Sequence, residues 1–234
     1  MTLWEKTSHA LLSIAAGVDS RSASSYNLSD SERHHRKPKG RVMPTSAFAT
    51  RLASIAQQQH AQFQFTNEAD PALCKQIRKW TEEIGFSFES CTSVPWSAVF
   101  VSWCVKKAGA TKSEFKFAMA HSVFVNQAIK NAIKGEGVFH GLEIGTHPPG
   151  VGDIIQNNRG GKSFDFAFAK THTSYESHTA IVIEVGQDTQ GRFAFCVGGN
   201  ESDSIRRTVV RLDSQGLIKQ RQGNPFICVI KNLK

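Results

Sequence analysis

The sequence predicts an α+β domain in which helices come first and antiparallel strands follow. Three observations carry that prediction. Between residues 45 and 134, apolar side chains recur at the three- and four-residue spacing of a helix face. After residue 134 the spacing falls to two, the period of a strand. Two such runs, residues 178–185 and 192–197, stand close enough together to close as a hairpin. Helices segregated from antiparallel strands give an α+β architecture, with the helices packed on the sheet.

Each element has its own local signal. The first helix of the domain begins after Thr45 and sets Phe48, Leu52, Ile55 and Ala56 on one side. The second starts at Asp70-Pro71, a good N-cap followed by a good first helical residue, and stops at Gly85. Its apolar face is Leu73, Ile77, Trp80 and Ile84. A loop over residues 85–94 carries Cys91 and leads into a helix that opens at Pro95-Trp96 and closes at Ala108-Gly109. Trp96, Val99, Phe100 and Trp103 mark one face of it, while Val101, Cys104 and Val105 fill the rest. A helix apolar all round belongs in the middle of a domain. Ser97 is the exception, a hydroxyl in the first turn, where backbone N–H groups are free and the helix dipole is positive. A fourth helix over residues 118–134 points Phe124, Ala128, Ile129 and Ile133 inward. Strands are expected at 151–155, after a Pro148-Pro149-Gly150 turn, and at 178–185, 192–197, 205–212 and 225–230, with a loop at 157–176.

Ahead of this domain, residues 1–44 divide into a short amphipathic helix, 2–17, and a polar linker, 19–44, so the domain proper is 45–234. The linker holds the densest basic run, Arg33-His34-His35-Arg36-Lys37-Pro38-Lys39-Gly40-Arg41. No aromatic residue interrupts it, which argues against nucleic acid as partner. The net charge of +8 instead suits an anionic polymer. No apolar run approaches the ~20 residues of a membrane span, and the N-terminus reads as an amphipathic helix rather than an export signal. The five cysteines are widely spaced and lack ligand spacing, and three of them sit in apolar patterns as buried thiols, consistent with synthesis in a reducing compartment. No cofactor or metal is expected, since His121, Asp153, His172 and His178 show no ligand motif.

The hairpin register adds chemistry. A turn flanked by Gly186 and Arg192 sets residue 178 opposite residue 200, so His178 and Asn200 become cross-strand neighbours. A histidine and an asparagine side by side form a base and its orienter, and Ser97 supplies a nucleophile at a helix N-terminus. The Gly198-Gly199 pair before Asn200 permits the close backbone approach such a site needs.

These stretches resemble the NlpC-like and CHAP peptidoglycan hydrolases, which are papain-fold amidases and endopeptidases. Pro95 to Trp103 with Lys106-Lys107-Ala108-Gly109 is similar to the family's nucleophile helix. Pro149 to Ile155, His178 to Gly186 and Gly198-Gly199-Asn200 follow in the family's order. The resemblance covers residues 90 to about 212 and implies a papain-like fold, attack on an amide of cell-wall stem peptides, and His178 and Asn200 as base and orienter. One departure matters: the family has cysteine where this chain has Ser97. A related bacterial branch resembles the chain in its Trp-Ser-Ala start and in a histidine at the position of His121. Ser97 is thus the first candidate nucleophile and Cys91 the second, with an inactive site as the third reading. Trp96, His121 and Asp153 complete the candidate set as substrate-lining residues, although Trp96 is also a core residue by its pattern and Asp153 structural.

Peptidoglycan as partner places the action outside the cytoplasm, which implies secretion or injection by a dedicated machine with its carrier and a cognate immunity protein. An antibacterial toxin fits that expectation. The alternatives are a non-catalytic cell-wall or protein-binding module and another acyl-transfer enzyme, a deamidase or acyltransferase.

Overall fold

The computed structural model describes residues 45–234. The helix expected at 2–17 and the linker at 19–44 lie outside the described residues. Four helices come first: α1 (Ala47–Phe63), α2 (Pro71–Glu83), α3 (Ser97–Lys107) and α4 (His121–Lys134). Then follow β1 (Phe139–Glu143), β2 (Ile154–Asn158), a short α5 (Phe166–Thr171), β3 (Ser177–Asp188), β4 (Gly191–Glu201), β5 (Ser204–Arg211) and β6 (Phe226–Asn232). The strands form one antiparallel sheet in the order β1-β6-β2-β3-β4-β5. This is the α+β arrangement that the change of period predicts.

Two elements escape the period argument. β1 is short and centred on Gly141, where a Cβ would lie 2.7 Å from the Ile129 backbone nitrogen. Only glycine lets this strand lie flush on α4. The single turn and a half of α5 sits inside the stretch expected to be loop, capped by Asp165, whose carboxylate accepts from the Phe168 N–H at 2.7 Å. Ile133 is a correction of another kind. It falls at an inward helical spacing but is exposed, because α4 has by then run past the core.

The main core lies between the helices and one face of the sheet. Trp80 of α2 sits at its centre, with ring centroids 6.0 Å from Trp96, 5.5 Å from Phe100 and 5.6 Å from Trp103. Every residue of α3 from Ser97 to Val105 is buried, as expected for a helix apolar all round. A smaller cluster of Ile155, Ala180, Val182, Cys196, Val210 and Val229 covers the sheet's other face, together with Leu212 and Ile218. Along β3 the side chains alternate: Ile181 and Ile183 join the main core, Ala180 and Val182 the smaller one.

The cysteines correct one expectation. Cys74 of α2 and Cys91 of the following loop form a disulfide across a sequence separation of 17, with Cα atoms 5.5 Å apart. Cys91 therefore has no free thiol with which to attack. Cys104, Cys196 and Cys228 are free and buried, and burial pushes all three thiols up, which leaves them inert. Among the described residues no helix is long and apolar enough to cross a membrane.

Candidate active site

Ser97 and His121 are the first residues of α3 and α4, and the fold brings these two helix starts together. Ser97 Oγ lies 2.6 Å from His121 Nε2, and His121 Nδ1 lies 2.7 Å from Thr179 Oγ1 of β3. All three residues are buried. When Nδ1–H donates to Thr179, Nε2 is left with a lone pair that accepts the Ser97 hydroxyl proton. Burial holds the His121 pKa well below its ordinary value, and the neighbouring charges of His178 and Arg159 push the same way. The imidazole is thus neutral near pH 7, the form that can take a proton.

The N-terminus of α3 receives no side-chain cap, because its N-cap residue is Trp96. Its first-turn N–H groups therefore stay available to a ligand beside Ser97. Ser97, His121, Val94, Pro95, Arg159 and Glu176 are among the residues lining a cavity of about 430 Å³. A hydroxyl in this setting can lose its proton to His121 as it attacks, while the α3 amides face the developing oxyanion.

His178 has a different partner from the one expected. Its Nε2 donates to Glu201 Oε1 at 2.9 Å, and its ring centroid is 5.3 Å from that of His121. It lines a second cavity of about 280 Å³ along with Asn200, Glu201 and Arg221. The histidine within hydrogen-bond reach of Ser97 is therefore His121, expected only as a lining residue, and not His178. Thr179, not Asn200, is hydrogen-bonded to the other nitrogen of that histidine.

The register explains the exchange. The β3–β4 turn is one residue tighter than expected, since Gln187 rather than Gly186 opposes Arg192. A bulge between Val182 and Glu184 removes that offset, so Ile181 opposes Val197 on the diagonal that runs on to His178 and Asn200. A second irregularity then falls between Gly199 and Glu201, where Asn200 has φ 56°. That left-handed residue advances the chain by one, and Glu201 rather than Asn200 reaches the histidine. Asn200 contributes its backbone oxygen, which accepts from Arg159 Nη2 at 3.4 Å. The two glycines before it serve opposite faces. A Cβ on Gly198 would fall 2.2 Å from Glu201 Oε1 and 2.7 Å from His178 Nε2. One on Gly199 would fall 2.7 Å from both Phe100 and Trp96, so Gly199 admits the first turn of α3 against the sheet.

Two further candidates are structural. Trp96 is buried in the core and its Nε1 donates to Glu68 Oε2 at 2.7 Å. Asp153 is buried away from the Ser97 cavity. It accepts from the Gly150 and Asn232 N–H groups and pairs with Lys231, which pins the Pro-Gly turn to β6. Burial raises its pKa against the pull of Lys231. Sequence reasoning misses Thr179 and Glu201. Thr179 stands next to the histidine that draws attention, and Glu201 is hidden by the left-handed Asn200. Among the described residues no group of three or more His, Cys, Asp or Glu side chains is placed to hold a metal ion.

The site is thus a buried serine–histidine–threonine chain at the meeting of two helix N-termini, on an α+β scaffold. The chain belongs to a bacterial family: residues 54–228, about three quarters of its length, match the family described as "Uncharacterized protein conserved in bacteria (DUF2272)". No curated protein and no solved structure matches the chain.

Proposed function

We propose that the chain is a serine-dependent hydrolase of amide bonds in the stem peptides of peptidoglycan, built on a papain-like scaffold. The observation that carries the reading is the 2.6 Å contact between Ser97 Oγ and a neutral, oriented His121 at an open helix N-terminus. Ser97 Oγ attacks the amide carbonyl and passes its proton to His121 Nε2, while Thr179 holds the imidazole in the required tautomer. The α3 amides receive the oxyanion. His121 then delivers the proton to the leaving amine, and the C–N bond breaks to leave an acyl-serine. Water, deprotonated by the same imidazole, releases the acid and restores Ser97.

The choice of substrate rests on the resemblance of the Ser97, His178 and Gly-Gly-Asn stretches to cell-wall hydrolases and on the basic charge of the chain. The Cys74–Cys91 disulfide adds a physical argument for action outside the cytoplasm, where such bonds persist. Delivery into a rival cell as an antibacterial toxin, with an immunity protein in the producer, is the form of export consistent with that reading. The test is digestion of purified peptidoglycan by the full chain, with released fragments identified by mass spectrometry. Free stem peptides or new amino termini are expected from wild type and absent with Ser97→Ala. Equal release by both proteins would remove Ser97 as nucleophile, and no release by wild type would remove the reading.

A further inference from the structure

Arg159 is the one residue with a fixed positive charge that lines both cavities, so the two adjoin at its side chain. It forms no ion pair among the described residues, and its hydrogen bond to the Asn200 carbonyl is long, at 3.4 Å. In the cavity beyond it a second guanidinium is held in place. Arg221 Nε donates to the Asn224 carbonyl at 3.0 Å, and its Cζ lies 4.4 Å from the centroid of the Phe226 ring. The acidic residue of that cavity, Glu201, is engaged by His178. Glu176 lines the Ser97 cavity from the solvent side and is exposed. The groove thus presents two guanidinium groups, while one of its carboxylates, Glu201, is hydrogen-bonded to His178 and the other, Glu176, lies at the solvent edge.

We infer that Arg159, with Arg221 behind it, forms a carboxylate-binding subsite for the peptide that presents its amide to Ser97. A guanidinium fork matches a carboxylate through two parallel hydrogen bonds, which fixes orientation as well as adding affinity. Bound there, the carboxylate sets the peptide across the junction of the cavities, with the neighbouring amide toward the α3 N-terminus. The inference rests on the reading of Ser97 as the reacting atom, and it adds a selection rule. Substrates with a free carboxylate near the cut bond are preferred over amidated ones.

Binding tests the subsite without depending on turnover. Full-length Ser97→Ala protein is titrated calorimetrically with a stem peptide carrying free carboxylates, and with the same peptide amidated. The free peptide is expected to bind at least about tenfold more tightly. Arg159→Gln in the same background should erase that difference, and Arg159→Lys should retain part of it. Thermal melts of the variants check that the exposed position is tolerated. Equal affinity for the two peptides, binding of neither, or a difference that survives Arg159→Gln would overturn the subsite. If wild type digests peptidoglycan while affinities are equal, the subsite falls and the hydrolase reading stands. Arg159-dependent carboxylate binding without digestion has the opposite meaning.

Discussion

The four long helices divide into two pairs by how they begin. At α1 the Ser46 hydroxyl accepts from the Ala49 N–H at 3.1 Å, and at α2 the Asp70 carboxylate accepts from the Ala72 N–H at 2.8 Å. At α3 and α4 the N-cap residues are Trp96 and Ala120, and neither helix has a side-chain cap. The uncapped pair carries Ser97 and His121 as first helical residues. Helices that only build the core close off their first-turn donors with their own side chains. The two that meet at the cavity leave those donors open, at a cost of about 1 kcal/mol for each missing cap. Stability given up at these two points is what leaves polar groups open toward the cavity.

The largest effect should fall on the uncapped pair. Ser97→Ala is expected to lower the digestion rate by roughly 10³-fold or more with little change in melting temperature. His121→Ala should match it, because the two residues act as one unit. His178→Ala should cost far less, about 10- to 100-fold, since His178 reaches His121 only through ring contact and electrostatics. If the order of the two histidines is reversed, the base is His178, and the sequence resemblance is the better guide. The pH profile sharpens the point. His121 works as a base only when neutral, so kcat/KM should hold from pH 7 down past the ordinary histidine value and then fall as its lowered pKa is reached. Stability follows the same group. Its pKa is lower folded than unfolded, so the unfolded chain takes up the proton first. Stability is therefore complete above about pH 6.5 and declines as the pH falls toward the folded pKa. A stability that rises through this window on acidification would contradict a buried neutral His121.

The same contrast explains what the sequence can show. Capping and periodicity are local, so the Asp70-Pro71 start of α2 and the buried stripe of α3 are legible residue by residue. Ser97 is legible too, because a lone hydroxyl at the mouth of an apolar helix stands out. The choice of its base is not, because it depends on two bulges, the second of them at the left-handed Asn200. Each shifts the chain by one residue and exchanges the side chain that faces a given neighbour. Counting from the turn brings His178 and Asn200 to the right end of the sheet. It cannot say that Glu201 takes the histidine, or that Thr179 on the opposite face takes His121. The Cys74–Cys91 bond is equally hidden, since two cysteines among five carry no pairing signal until α2 and the following loop are placed in space.

That bond joins the two classes of helix, from the capped α2 to the loop that enters α3. Cys74→Ser or Cys91→Ser should cost about 3 kcal/mol, the loop-closure value for a ring of this size. Chemical denaturation in the absence of reductant measures it. Activity at low temperature should largely survive, because neither sulfur belongs to the Ser97 chain. Loss of activity in a variant still fully folded would instead make the 85–96 loop part of the catalytic apparatus.

The smallest effect is the most direct test of the division itself, because it exchanges the two kinds of helix start. Asp70→Ala removes the α2 cap and should lower stability by about 1 kcal/mol with kcat and KM unchanged. Ala120→Asp supplies α4 with the cap it lacks, at an exposed position, and should raise stability by up to about the same amount. The new carboxylate also lines the Ser97 cavity, where Ala120 now sits. It stabilises the imidazolium form of His121, so the acid limb of the pH profile should move to higher pH and activity near neutrality should fall. One substitution that strengthens the fold while weakening the site would show that the missing cap is functional. If Ala120→Asp raises stability and leaves the profile untouched, the open start of α4 has no part in the chemistry, and only α3 belongs to the site.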